Sequence, residues 1–204
     1  MPATVLHFVR HCDVENPDGL VYGRLPGFGL SAIGCAQAER VAAFLSRYPI
    51  SVIYSSPQLR ARQTARAIQR ASPHAPLRLS QRLAEVFTSY QGMKVRDIPS
   101  TVNMFDNPKD PGDESMADVL RRMKQFIAHV RRRHVGGEIV CVSHAAPISI
   151  LRVHLERRPL TVSALRGPGE PQKGSVTTIV VDDLSSPAIR YLTAYDVETH
   201  AVAR

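Results

Sequence analysis

Two hydrophobic rhythms alternate along this chain: short apolar, β-branched runs that stop at polar clusters, and longer stretches with apolar positions every three to four residues. Thr4 to Val9 is a run of the first kind and predicts a buried strand ending at Arg10-His11-Cys12-Asp13. A loop rich in Gly and Pro follows through Gly27. Ser31 is a candidate N-cap for a helix spaced by Ile33, Ala38, Val41, Ala42 and Leu45, which Pro49 ends. The pattern then repeats. Ser51 to Tyr54 predicts a short strand, Ser55-Ser56-Pro57 a turn, and Gln58 to Arg70 a helix.

Leu77 to Leu79 predicts another short strand. Over about 86–113 the periodicity fails while Gly, Pro, Asn and Asp accumulate, which predicts a long irregular excursion, a lid or insertion able to cover a site. Met116, Val119, Leu120, Met123, Phe126, Ile127 and Val130 share one stripe of a helix over roughly 114–134 and are read as core. Glu138 to Val142 predicts a buried strand ending at Ser143-His144, Pro147 to Glu156 a helix, and Ser175 to Val181 and Ile189 to Tyr195 two closing strands. Strands alternating with helices predict a three-layer α/β/α sandwich, its mostly parallel sheet carrying an antiparallel edge, in one domain over 1–204. The connection Asp182 to Pro187 is short enough for a hairpin.

Charge narrows the partners only slightly. With 26 Lys+Arg against 18 Asp+Glu the formal charge is +8, which suits anionic ligands in general. Arg121, Arg122, Lys124, Arg131, Arg132 and Arg133 read as a solvated helix face, since no aromatic residues interleave with them as a single-stranded nucleic-acid platform requires. Cys12, Cys35 and Cys141 form no metal-ligand or disulfide spacing, so a reducing cytoplasm fits. No signal-like segment and no membrane-spanning apolar run is expected. The expected partner is a small-molecule phosphate, not nucleic acid or membrane; a monomer or symmetric homodimer is the default assembly.

In open α/β sheets ligands bind beyond the carboxyl ends of the strands. Three predicted strands end in useful chemistry there: Arg10-His11, the turn leading to Arg60, and Ser143-His144. Two imidazoles and two guanidiniums converging on one sheet edge repel one another unless an anion sits among them, and phosphate matches the guanidinium fork.

These residues resemble the histidine phosphatase (phosphoglycerate mutase-like) superfamily, whose signature is an R-H-G triplet after the first strand. Val9-Arg10-His11-Cys12 is similar to it, as is Tyr22-Gly23-Arg24-Leu25-Pro26-Gly27 with Leu30-Ser31, Gly34 and Gln37-Ala38 to the loop and first helix that follow. Ser55-Ser56-Pro57 with Arg60-Ala61 and Gln63-Thr64-Ala65, then Leu83-Ala84-Glu85 and Val142-Ser143-His144, resemble the later motifs in order. The resemblance implies a metal-independent and cofactor-free phosphomonoester hydrolase in which His11 becomes phosphohistidine. Arg10, Arg60 and His144 would hold the phosphoryl oxygens, and Glu85 would protonate the leaving oxygen and then activate water. Asn16, Tyr22, Arg24 and Ala145 are the candidate substrate contacts.

The chain departs from the pattern at Cys12, which replaces Gly and would strain or narrow the pocket if a positive φ were needed there. It also departs at Val14 and Ala145 and in the reduced glycine content after Glu85. A carboxylate among so many cations is expected to have a lowered pKa unless burial opposes it. Mutase-type phosphoryl transfer and a catalytically silent phosphate-binding module are the alternatives. A cysteine phosphatase is excluded, because Asp18, Val41 and Pro147 stand where its Arg would follow each Cys. No zincin, nucleophile-elbow or Walker A motif occurs. The identity of the substrate stays open.

Overall fold

The computed structural model describes residues 2–99, 110–167, 169–181 and 188–192. The expected connection at 182–187, the end of the last strand at 193–195 and residues 100–109 of the excursion lie outside them. Six strands, β1 (Thr4–Arg10), β2 (Ile50–Ser55), β3 (Leu77–Leu79), β4 (Glu138–Ser143), β5 (Val176–Val181) and β6 (Ala188–Leu192), form one sheet. Its order is β3-β2-β4-β1-β5-β6. The first four are mutually parallel, and β5 runs antiparallel to both β1 and β6.

Strand side chains alternate between two cores, as a sheet covered on both faces requires. Leu6 and Phe8 of β1 and Ile139 and Cys141 of β4 face α3 (Met116–Arg133) and α4 (Ala145–Leu155). Val9, Val140 and Val142 face α1 (Ala32–Leu45) and α2 (Leu59–Ala71). In β2 a register shift between Ile50 and Val52 puts Ile50 and Ile53 on the same face. The α/β/α layering and antiparallel edge match the expectation. A four-residue helix α5 (Val162–Leu165) lies where none is expected.

The helix ends follow their caps. Ser31 accepts from the Gly34 N–H to start α1, and Ser115 and Asp118 form a reciprocal capping box at α3. The α4 helix begins at Ala145, so Pro147 is its third residue, still within the first turn, where a missing N–H costs nothing.

Two expectations need correction. Ile33, one of the apolar positions that space the expected helix, lies off its buried face at 66% exposure; the buried residue beside it is Gly34, where a Cβ would collide with the backbone carbonyl of Asp13. Arg122, expected on a solvated face, is only 13% exposed and donates to Glu114 and to the main-chain carbonyls of Arg82 and Glu85.

The excursion after Glu85 is tied down where it is described. Val21 donates to Met93 O at 2.8 Å and Gly92 to Val21 O at 3.0 Å, joining it to the loop after β1. Glu114 N–H reaches Phe87 O at 3.0 Å, closing the segment back onto the start of α3.

Candidate active site

The carboxyl ends of β1, β4 and β2 lie side by side because Arg10 is in register with Ser143, and Ser55 with Val142. The next residue of each strand stays tethered: His11 N–H donates to Ser143 O at 3.0 Å, and Ser56 N–H to Val142 O at 2.9 Å. Helices α2 and α4 start at this edge, with Arg60 in the first turn of one and His144 as the N-cap of the other. Their positive ends add to the local preference for an anion.

At the centre is Arg60, fully buried. Its Nε donates to His11 Nε2 at 3.1 Å, and its Nη2 to Gly23 O at 2.7 Å and His144 Nδ1 at 3.1 Å. The Tyr22 ring lies under the guanidinium, 4.4 Å from ring centroid to Cζ. The His11 and His144 ring centroids are 5.0 Å apart. Arg60 Nη1 and Arg10 Nε are buried without a hydrogen-bond partner among the described residues, and the oxygens of an anion would satisfy both. The other end of Arg10 donates to Pro171 O at 2.7 Å.

These contacts fix both tautomers, since guanidinium only donates and a carbonyl only accepts. His11 Nδ1 lies 2.8 Å from Cys12 O and must carry the proton, leaving Nε2 with its lone pair toward Arg60. His144 Nδ1 must accept from Arg60, so Nε2–H donates to Ser56 Oγ at 2.7 Å, and Ser56 in turn donates to Gln58 Oε1. Burial first, then the Arg60 charge, pushes both imidazoles well below their ordinary pKa of 6.5. Both rings are therefore neutral near pH 7.

Glu85 Oε2 is 3.8 Å from His144 Nδ1, with the side chain 18% exposed. Its Oε1 accepts from Val86 N–H at 2.9 Å. Burial raises its pKa above 4.5 against the opposing charges of Arg60, Arg10 and Arg122, so desolvation wins the contest posed by the sequence. Arg24 and Arg122 both donate to the Glu85 main-chain carbonyl and both pair with Glu114.

The model of the histidine phosphatase superfamily (branch 1) matches residues 6–188. This chain belongs to that superfamily. A phosphoserine phosphatase of Hydrogenobacter thermophilus is 35% identical over 158 residues, which are 70% of this chain and 72% of that protein. An uncharacterized protein of Mycobacterium tuberculosis is 36% identical over 187 residues, covering 88% and 91%. Among solved structures, Bacillus stearothermophilus YhfR superposes with a TM-score of 0.81 at 23% identity, covering 92% of this chain and 96% of that one. A mycobacterial glucosyl-3-phosphoglycerate phosphatase gives 0.77 at 24% identity, covering 94% and 98%.

Of the residues expected at the site, His11, Arg60, His144, Glu85 and Tyr22 come together, with Arg10 at the margin. Ala145 lines the adjoining pocket together with Tyr22, Gly23 and Glu85. Asn16 does not join them: its side chain donates to Leu20 O and accepts from Leu20 N–H, folding its own loop. The Arg24 guanidinium is likewise bonded, through Nε to Glu85 O and through Nη2 to Glu114, which places it against the backbone of Glu85. Cys12 takes no positive φ, and its buried thiol belongs to the core beneath α1, so its side chain neither strains nor lines the pocket. Sequence reasoning missed Gly23, Gln58 and Glu114. Ser56 was visible only as a turn residue.

Proposed function

We propose that this protein hydrolyses phosphomonoesters through a phosphohistidine formed on His11 Nε2. The observation that carries the reading is the His11 ring, its tautomer locked by Cys12 O and its Nε2 lone pair directed at the guanidinium that would hold the phosphoryl oxygens. Entering phosphate draws the Arg60 Nε–H away from His11 onto a phosphoryl oxygen, freeing the lone pair for in-line attack. Arg10 Nε and Arg60 Nη1 take further oxygens, offsetting charge on the transferring group. Nε2 forms its bond to phosphorus as the ester oxygen leaves.

Glu85 gives the departing alkoxide its proton, then takes one from the water that attacks phosphohistidine, releasing inorganic phosphate and restoring both residues. Its raised pKa suits the first role, and the phosphatases among the relatives fit the overall reaction. The test is hydrolysis of an aryl phosphate with and without EDTA. The reading requires metal-independent turnover that His11→Ala abolishes; turnover retained by that variant, or lost to EDTA, refutes it.

A further inference from the structure

Resting on the reading just given, we propose that the preferred substrate is a phosphomonoester of an apolar, uncharged alcohol, and that phosphoserine is a poor substrate. A pocket of about 290 Å³ is lined by Tyr22, Gly23 and Glu85, each of which also touches Arg60 or His144, and this is where the proposal seats the group attached to the ester oxygen. Its remaining wall is Leu20, Val21, Val86, Val95, Ala145 and Ala146, with Thr88 as the one polar side chain.

Among the described lining residues the ionisable side chains are Glu85, which the reaction uses, and the Tyr22 phenol. Among these described lining residues none is a cation for a substrate carboxylate, and the carboxylate is the one the reaction uses. Arg24 and Arg122, close by, are held by Glu114 and by the Glu85 carbonyl. A charged leaving group would enter desolvated and unpaired, whereas an alkyl or aryl group would bury apolar surface. The wall is also fixed in place, since Val21 and the strand-like turn before Val95 are cross-bonded through Met93 O and Gly19 O.

The test separates recognition from turnover. Binding of n-alkylphosphonates, which cannot be hydrolysed, is measured by calorimetry on the full chain from methyl to butyl. The proposal requires affinity to rise about fourfold per added methylene. Val95→Lys, at an exposed position on the rim, flattens that series. In parallel, phosphate release is compared for phosphoserine and isobutyl phosphate, which has methyl groups in place of the ammonium and carboxylate; kcat/KM favours the latter by about tenfold or more. A flat phosphonate series, no phosphonate binding, or phosphoserine turned over as well as isobutyl phosphate overturns the proposal while leaving hydrolysis itself intact. A rising series without turnover of any ester supports the apolar pocket and instead removes the hydrolase reading.

Discussion

Replacing Glu85 with Gln should separate substrates by how badly their leaving group needs a proton. The amide matches the carboxyl in size and keeps an acceptor for the Val86 N–H, which lies 2.9 Å from Oε1, so the pocket should hold its shape. It also removes a buried ionisable group whose charged form is disfavoured by desolvation, so thermal stability should not fall. What Gln cannot do is donate a proton to an alkoxide and take one from water. General acid–base catalysis of this kind is worth about 10²–10⁴-fold, or about 3–5 kcal/mol of barrier. For an alkyl phosphate the whole loss falls on the first step, and turnover should drop by that factor. For a nitrophenyl ester, whose anion leaves unprotonated, the first step should survive. Rapid mixing would then show a burst of nitrophenol near one equivalent, followed by slow turnover limited by water attack on the phosphoenzyme. An equal loss in the burst phase for both esters, or no loss for the alkyl ester, would refute the role given to Glu85.

Gly34→Ala should destabilise the fold by about 1–3 kcal/mol, because the new Cβ meets the Asp13 carbonyl; the helix-propensity gain of about 1 kcal/mol does not offset it. Urea denaturation measures this, and a stabilised variant would contradict it. The Cys12 thiol is pushed up to about 12 by burial, so maleimide at pH 8 should label exposed Cys35 and spare Cys12, with phosphatase activity retained; mass spectrometry locates the adduct. Stability should fall as pH drops below about 6.5. His11 and His144 bind fewer protons folded than unfolded there, so unfolding takes up protons and is favoured by acid. Glu85, raised above 4.5, acts in the opposite sense, one group against two. A melting temperature that rises from pH 7 to pH 5.5 would refute the neutral-histidine assignment.

Much of the scaffold was legible because its strands are buried on both faces and end abruptly in charge: Thr4–Arg10 and Glu138–Ser143 differ from expectation by one residue. The stripe of α3 was equally clear, six of its seven positions being buried and Leu120 packing at the edge. Ile33 misled because apolar spacing cannot see that α1 approaches the Asp13 backbone so closely that only glycine fits there, which sets which side of the helix faces inward. Arg122 misled because its partners, a carboxylate eight residues away and two main-chain carbonyls distant in sequence, leave no local signature. Within the site, groups at strand ends could be read from the chain. Gly23, acting through its carbonyl, and Gln58, as a relay beyond Ser56, could not, since neutral groups carry no charge pattern to betray them. Asn16 and Arg24 have the right chemistry for phosphate but spend it on the loop and on Glu85.

The central claim is that His11 Nε2 forms a bond to phosphorus. It is tested most directly by mixing the Glu85→Gln variant with a phosphorus-labelled aryl phosphate, quenching in alkali, and mapping the label by peptide mass spectrometry. The account predicts a base-stable, acid-labile phosphoramidate on the His11 peptide, absent when His11→Ala is added. Label on another residue, or steady hydrolysis with the His11 peptide unmodified throughout, would contradict it.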